Sequence, residues 1–148
     1  MIDRIILHSD LNSFYASVEC LYNPSIRELP VAVCGDPEAR HGIVLTKNIH
    51  AKKFGVATGQ PIWQAKQFCP NLVVVPPRYD LYLKFSKLAH EIYYEYTDKI
   101  ESFGIDEAWL DCTGSAMLFG TGEEIANKIR KRIYKELGIT VSVGGENC

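Results

Sequence analysis

The sequence predicts an α+β fold, an antiparallel or mixed sheet backed by helices, on three observations. Apolar runs and helical stripes alternate in the order βαβ…αββαβ, which suits segregated helices and strands better than a regular βαβα alternation. Two long stripes at spacings of three and four, Leu81-Phe85-Leu88-Ile92-Tyr96 and Ile125-Ile129-Ile133-Leu137, mark helices with one buried face. Between them, Ile100–Phe103 and Ala108–Cys112 are short β-prone runs joined closely enough to form a hairpin.

Residues 4–9 read as a buried strand, and Asp10-Leu11-Asn12-Ser13 as a turn in which Asn12 or Ser13 caps a helix over 13–22. That helix puts Phe14, Val18 and Leu21 on one face and Tyr15, Glu19 and Tyr22 on another, and Asn23-Pro24 ends it. Strands at Leu29–Cys34 and Gly42–Thr46 follow, parted by a polar segment with a turn signal at Gly35-Asp36-Pro37. The stretch 47–77 changes character and reads as a small inserted subdomain. Asn48 caps Ile49–Phe54, Pro61 suits the first turn of Ile62–Phe68, and Leu72–Val75 is a short strand. A long helix over 78–97 precedes the hairpin. Thr121-Gly122-Glu123-Glu124 is a capping box opening the last helix, Gly138 closes it, and Ile139–Val143 is the last strand.

At 148 residues and 47% hydrophobic, the chain can bury one real core with a small appended subdomain. Its formal charge of −2 is low for a protein that grips many phosphates by itself, so any hold on nucleic acid is local or comes from other parts. Five cysteines, with no CxxC pair, suit a reducing compartment better than a disulfide framework or a zinc site. No apolar stretch approaches the roughly 20 residues of a membrane span, and the expected setting is soluble and cytoplasmic.

The chemistry centres on Gly104-Ile105-Asp106-Glu107-Ala108-Trp109-Leu110-Asp111, two adjacent carboxylates inside an apolar run. A carboxylate in such a setting must be paired, hydrogen-bonded or bound to metal. Neighbours on a straight strand point to opposite faces, so Asp106 and Glu107 can serve one site only where the backbone turns, which Gly104 permits. Asp10, at the end of the first apolar run, is the third candidate. The expectation is that Asp10, Asp106 and Glu107 converge at neighbouring strand ends and hold divalent metal. Taken alone, Asp10 also reads as a helix-start carboxylate, Tyr15 as a core aromatic, and Lys52 and Lys53 as a solvated helix face. Lys128, Arg130, Lys131, Arg132 and Lys135 read as the wet face of the last helix.

Three ordered motifs are shared with a known family: Asp10-Leu11-Asn12-Ser13-Phe14-Tyr15-Ala16-Ser17-Val18-Glu19, the stretch Thr46 to Gly55 with Ala51-Lys52-Lys53-Phe54-Gly55, and Ile105-Asp106-Glu107-Ala108. Up to about Gly144 the chain resembles the N-terminal palm and fingers of Y-family translesion DNA polymerases of the UmuC/DinB-like, ImpB/MucB/SamB kind. The resemblance implies a ferredoxin-like palm at 1–23 and 78–148, a fingers subdomain at 24–77, and thumb and little-finger domains absent from this chain. It implies transfer of a deoxynucleotide from dNTP to a primer 3′-OH with two Mg2+ ions. Asp10 and Asp106 would hold the metals, Glu107 would complete the primer-side site, and the Leu11 carbonyl would help the nucleotide-side ion. Tyr15 would lie beneath the sugar and exclude a ribose 2′-hydroxyl, with Phe14 in a secondary role. Thr46, Asn48 and Lys52 would face the triphosphate. Ile49 and Lys52 depart from the Tyr and Arg usual there, which implies weaker or rearranged triphosphate contacts. The implied partners are primer-template DNA, mainly through the further domains, and a sliding clamp; the piece alone is expected to polymerise poorly or not at all. The readings that compete are a non-catalytic remnant acting in protein interaction and another ferredoxin-like two-metal enzyme such as a nucleotidyl cyclase.

Overall fold

The computed structural model describes residues 4–35 and 42–147, and the Asp36-Pro37 part of the expected turn lies outside them. The elements are β1 (Ile5–Leu11), α1 (Phe14–Tyr22), β2 (Val31–Cys34), β3 (Val44–Lys47), α2 (Ile49–Lys53), α3 (Ile62–Phe68), β4 (Val73–Val75), α4 (Tyr79–Tyr94), β5 (Ile100–Phe103), β6 (Glu107–Asp111), α5 (Ala116–Phe119), α6 (Gly122–Leu137) and β7 (Val141–Asn147). The fold is α+β, as expected, with two sheets and two compact units: residues 1–12 with 83–148, and residues 13–82.

The first unit is built on a four-stranded sheet in the order β5-β6-β1-β7, antiparallel throughout. Side chains alternate along β1: Leu7, Ser9 and Leu11 are buried, while His8 and Asp10 are half-exposed on the other face. On β6 the inward positions are Ala108 and Leu110, both at 0% exposure. Helix α6 packs on β1 and β7 and buries Ile125, Ile129 and Ile133. Its start is the expected capping box, with the Thr121 hydroxyl accepting from the Glu124 amide and the Glu124 carboxylate accepting from the Thr121 amide, and Gly138 closes it at φ 77°. The basic face of α6 is more engaged than a purely wet face: Lys128 donates to the Phe119 carbonyl, Arg130 to the Val143 carbonyl, and Arg132 pairs with Glu95 and Glu136.

The second unit carries the three-stranded sheet β3-β2-β4, with β2 antiparallel to β3 and parallel to β4. Its core joins Ala32, Cys34, Val44, Ala51, Val56, Ala65, Cys69 and Leu72. The strands after α1 thus form a sheet separate from that of β1, with β2 buried along its whole length and paired on both edges with β3 and β4.

Several local expectations shift. Asp10 and Leu11 belong to β1 rather than to a turn, since Asp10 pairs with both Glu107 and Ser142. Ser13 sits at the cap position of α1 in the left-handed region, φ 44°, and its side chain makes no capping bond. On α4 and just past its end the expected Phe85, Ile92 and Tyr96 are buried, but Leu81 and Leu88 are only half-buried, and Tyr82, Ala89 and Tyr93 take the inward positions beside them. Glu19, on the face of α1 that it shares with Tyr15 and Tyr22, is 6% exposed despite its charge. Cys20, Cys34, Cys69 and Cys112 are buried free thiols, and no helix among the described residues is long and apolar enough to cross a membrane.

Candidate functional site

The three carboxylates stand at one end of the β1–β6 ladder in the first unit, near enough for Asp106 and Glu107 to act on Asp10 through their charge. Asp10 stands opposite Glu107, and residues opposite each other in an antiparallel pair share a face. That face also carries His8 and Trp109, two pairs along the ladder. Asp106 arrives by a different route. The hairpin pairs Phe103 with Glu107, leaving Gly104, Ile105 and Asp106 as the connection, with Gly104 at φ 69°. Only a residue without Cβ takes that conformation cheaply, and the turn frees Asp106 from the strict alternation that would have sent it to the face opposite Glu107. The turn is tied to β1 by the Leu11 amide, which donates to the Asp106 carbonyl at 2.9 Å.

The electrostatics follow from this convergence. Burial raises the Asp10 carboxyl above the ordinary carboxylate range, the charges of Asp106 and Glu107 raise it further, and His8 pulls it partly back. Asp106 is likewise raised by burial, partly offset by its hydrogen bond to its own backbone amide, with Glu107 adding repulsion. Beneath them, Ser9 and Tyr93 are joined by a buried 2.7 Å hydrogen bond, and burial pushes the Tyr93 phenol up to about 12.

His8 and Trp109 were not among the residues the sequence singled out. The His8 Nε2 lies 2.9 Å from Glu107 Oε1, and its ring stacks on Trp109 with centroids 4.5 Å apart. The signal was present, because His8 is two residues from Asp10 on a strand and so shares its face.

All-oxygen donors, three carboxylates and the Leu11 carbonyl, are what a hard divalent cation takes, and the raised carboxyls mark negative charge that such a cation would offset. Among the described residues, no three His, Cys, Asp or Glu side chains are already gathered into a metal cage. The donor chemistry suits such a cation, while the side chains as they stand do not form a closed site.

The remaining expected site residues lie in the second unit. Phe14 is 2% exposed, which makes it a core ring with almost no surface to offer a sugar. Tyr15 is half-buried and lies flat on Tyr82, with ring centroids 4.2 Å apart and planes 10° from parallel. Thr46 is half-buried on β3 opposite Val33, and Lys52 is exposed on α2. Asn48 turns its side chain to the fold: its Oδ1 accepts from the Ala51 and Val31 amides at 3.0 Å each, and its Nδ2 donates to the Leu29 carbonyl at 2.7 Å. It caps α2 and pins β2, so any part it takes in ligand binding is through the loop it holds. Ile49 is 62% exposed, an apolar side chain where the resemblance leads one to expect a phenol.

The sequence pattern of the impB/mucB/samB family matches residues 9–146. The chain is 63% identical over 141 residues to a DNA polymerase IV of Acetivibrio thermocellus, covering 95% of this chain and 35% of that protein. It is 45% identical to DNA polymerase IV 1 of Bacillus subtilis, covering 34% of it. Among solved structures, an insertion ternary complex of Dbh DNA polymerase superposes with a TM-score of 0.88 at 37% identity, covering 96% of this chain and 42% of that one. DinB from Sulfolobus solfataricus gives a TM-score of 0.89, also at 37% identity, over 96% of this chain. The chain thus spans about a third to two fifths of the length of the curated relatives it matches.

Proposed function

Because this chain belongs to the impB/mucB/samB family of DNA polymerases, we propose that it is the palm (1–23 and 78–148) and fingers (24–77) part of a template-directed polymerase of translesion synthesis and DNA repair. The observation that carries this reading is the pairing of Asp10 with Glu107, with the Asp106 turn tied to the next residue of the same strand. Polymerases generally work with divalent metals, and here Mg2+ is the ion the oxygen donors suit. Two such ions, held by Asp10, Asp106 and Glu107 with the Leu11 carbonyl, would neutralise charge on the attacking and leaving oxygens and align them.

The chain's own residues supply the rest. Asp10 is raised by burial and by the charges of Asp106 and Glu107, and Asp106 by burial and the charge of Glu107, and a bound cation would offset both. Glu107, with one oxygen on His8, serves the primer side. Tyr15 presents a flat ring to the nucleotide sugar, where a 2′-hydroxyl would collide with it. Thr46 can donate to a phosphate oxygen and Lys52 offers a mobile charge, while Asn48 fixes the loop between them. Two of the similar structures, an insertion ternary complex and a post-insertion binary complex of Dbh DNA polymerase, support a nucleotide-inserting role. The proposed partners are dNTP, primer-template DNA gripped mainly by other domains, and a sliding clamp, in the cytoplasm.

The test is primer extension by this chain joined to the remainder of the Acetivibrio thermocellus polymerase it resembles. Asp106→Ala should lower extension at least about 10²-fold, the scale of losing one group that stabilises developing charge. Extension at the unsubstituted rate would overturn the reading.

A further inference from the structure

Glu19 is a buried carboxylate that the proposed chemistry does not use. Charge at 6% exposure needs partners, and it has three contacts from one arginine. Arg78 Nε donates to both carboxylate oxygens at 3.1 Å and Nη2 to Oε1 at 2.6 Å, a fork that fixes the plane of the carboxylate. The Tyr82 hydroxyl then donates to Oε2 at 2.6 Å. Tyr82 is fully buried, so its ring is packed on its faces and tethered at its tip.

What Tyr82 faces is the Tyr15 ring, parallel at 4.2 Å. Tyr79 stands edge-on to both rings, at 5.9 Å from Tyr15 and 6.0 Å from Tyr82. Two spacings of four residues produce this assembly: Tyr15 and Glu19 share one face of α1, and Arg78 and Tyr82 share the first turn around the start of α4. The charged pair is at one end of Tyr82 and the proposed sugar-facing ring lies against its flat side.

We propose that Glu19 and Arg78 are positioning residues that act through Tyr82 on the Tyr15 ring, and so set how strictly the nucleotide site excludes a ribose. The inference rests on the reading of Tyr15 given above. Exclusion of a single hydroxyl by a clash works only if the ring cannot withdraw, and a tolerance of about 0.5 Å is the usual demand on such a site. A tyrosine backed by a ring that is itself anchored to a clamped carboxylate has little room to withdraw. A pair that served only to hold the fold would affect deoxy- and ribonucleotides alike.

The experiment measures kcat/KM for dCTP and for CTP in the same chimeric polymerase. Glu19→Gln and Tyr82→Phe should each lower the deoxy-over-ribo ratio about 10-fold, and Arg78→Lys, which keeps the charge and loses the fork, should fall between them and the parent. An unchanged ratio, or equal losses for both nucleotides, would overturn the proposal. Tyr15→Ala separates the two levels: if it leaves the ratio unchanged, the gate and this inference fall together, and if it collapses the ratio while the cluster variants do not, only the inference falls. Should Glu19→Gln fail to fold, Tyr82→Phe in the 148-residue chain carries the test by ring NMR. Displaced Tyr15 ring resonances support the proposal, and unmoved ones overturn it.

Discussion

Asp10 on β1 and Glu107 on β6 face each other directly across an antiparallel ladder, two like charges where a sheet ordinarily places an apolar or oppositely charged pair. Such a pair is destabilising unless something offsets it. His8 offsets part of it through Glu107, and a bound cation would offset the rest.

The first consequence is a pH and stability signature. A carboxyl raised in the folded state binds its proton more tightly there than in the unfolded chain. Between the unfolded and folded pKa values the native state holds more protons, so stability falls as pH rises through that window. Asp10→Asn and Asp106→Asn should therefore raise Tm at pH 7 without metal, and the gain should vanish below the ordinary carboxylate range near pH 4. Thermal melts across pH check this, and Asn variants less stable than the parent at pH 7 would contradict it.

Removing His8 should loosen Glu107. Partners in the outer shell of a metal site typically contribute about 10-fold or more in affinity. His8→Ala should weaken Mn2+ binding to the 148-residue chain by about 10-fold, read by the free-ion EPR signal, and equal affinity in the two proteins would speak against a supporting role.

Tyr15→Ala removes the ring proposed to meet the sugar. Ribonucleotide incorporation by the chimeric polymerase should rise relative to deoxynucleotide incorporation by at least about 10-fold, the scale on which one group's fit discriminates. Competition gels with mixed nucleotides measure it.

Arg78→Ala leaves Glu19 buried without its countercharge. Breaking a buried ion pair from one side costs about 3–5 kcal/mol, and because Arg78 is half in solvent the lower end applies, about 3 kcal/mol. Urea unfolding of the 148-residue chain should show a lower midpoint with an unchanged slope.

Beside the Ile5 end of β1, Thr121→Ala removes one arm of the α6 capping box. The expected loss is about 1 kcal/mol, with no effect on Mn2+ affinity, which makes it a control for stability changes unconnected with the site.

Read alone, the amino-acid order determined whatever depends on local periodicity and punctuation: the hairpin around Asp106 and Glu107, the α6 stripe with its box and closing glycine, the Asn48 and Pro61 helix starts, and the α+β class. These are decided within a few residues by backbone geometry and side-chain reach, so they are legible there. Tertiary structure alone decided three things. It split the strands into two sheets, because pairing partners are chosen by burial on both edges of β2 and not by the run of valines itself. It brought His8 beside Glu107 and Trp109 through the β1–β6 register, a relation across 99 positions that no window contains. And it buried Glu19, whose charge marks it as an outward residue until Arg78 and Tyr82 close around it from 59 and 63 positions away. A charged side chain goes inside only when its partners are already in place, and those partners exist only once the chain has folded.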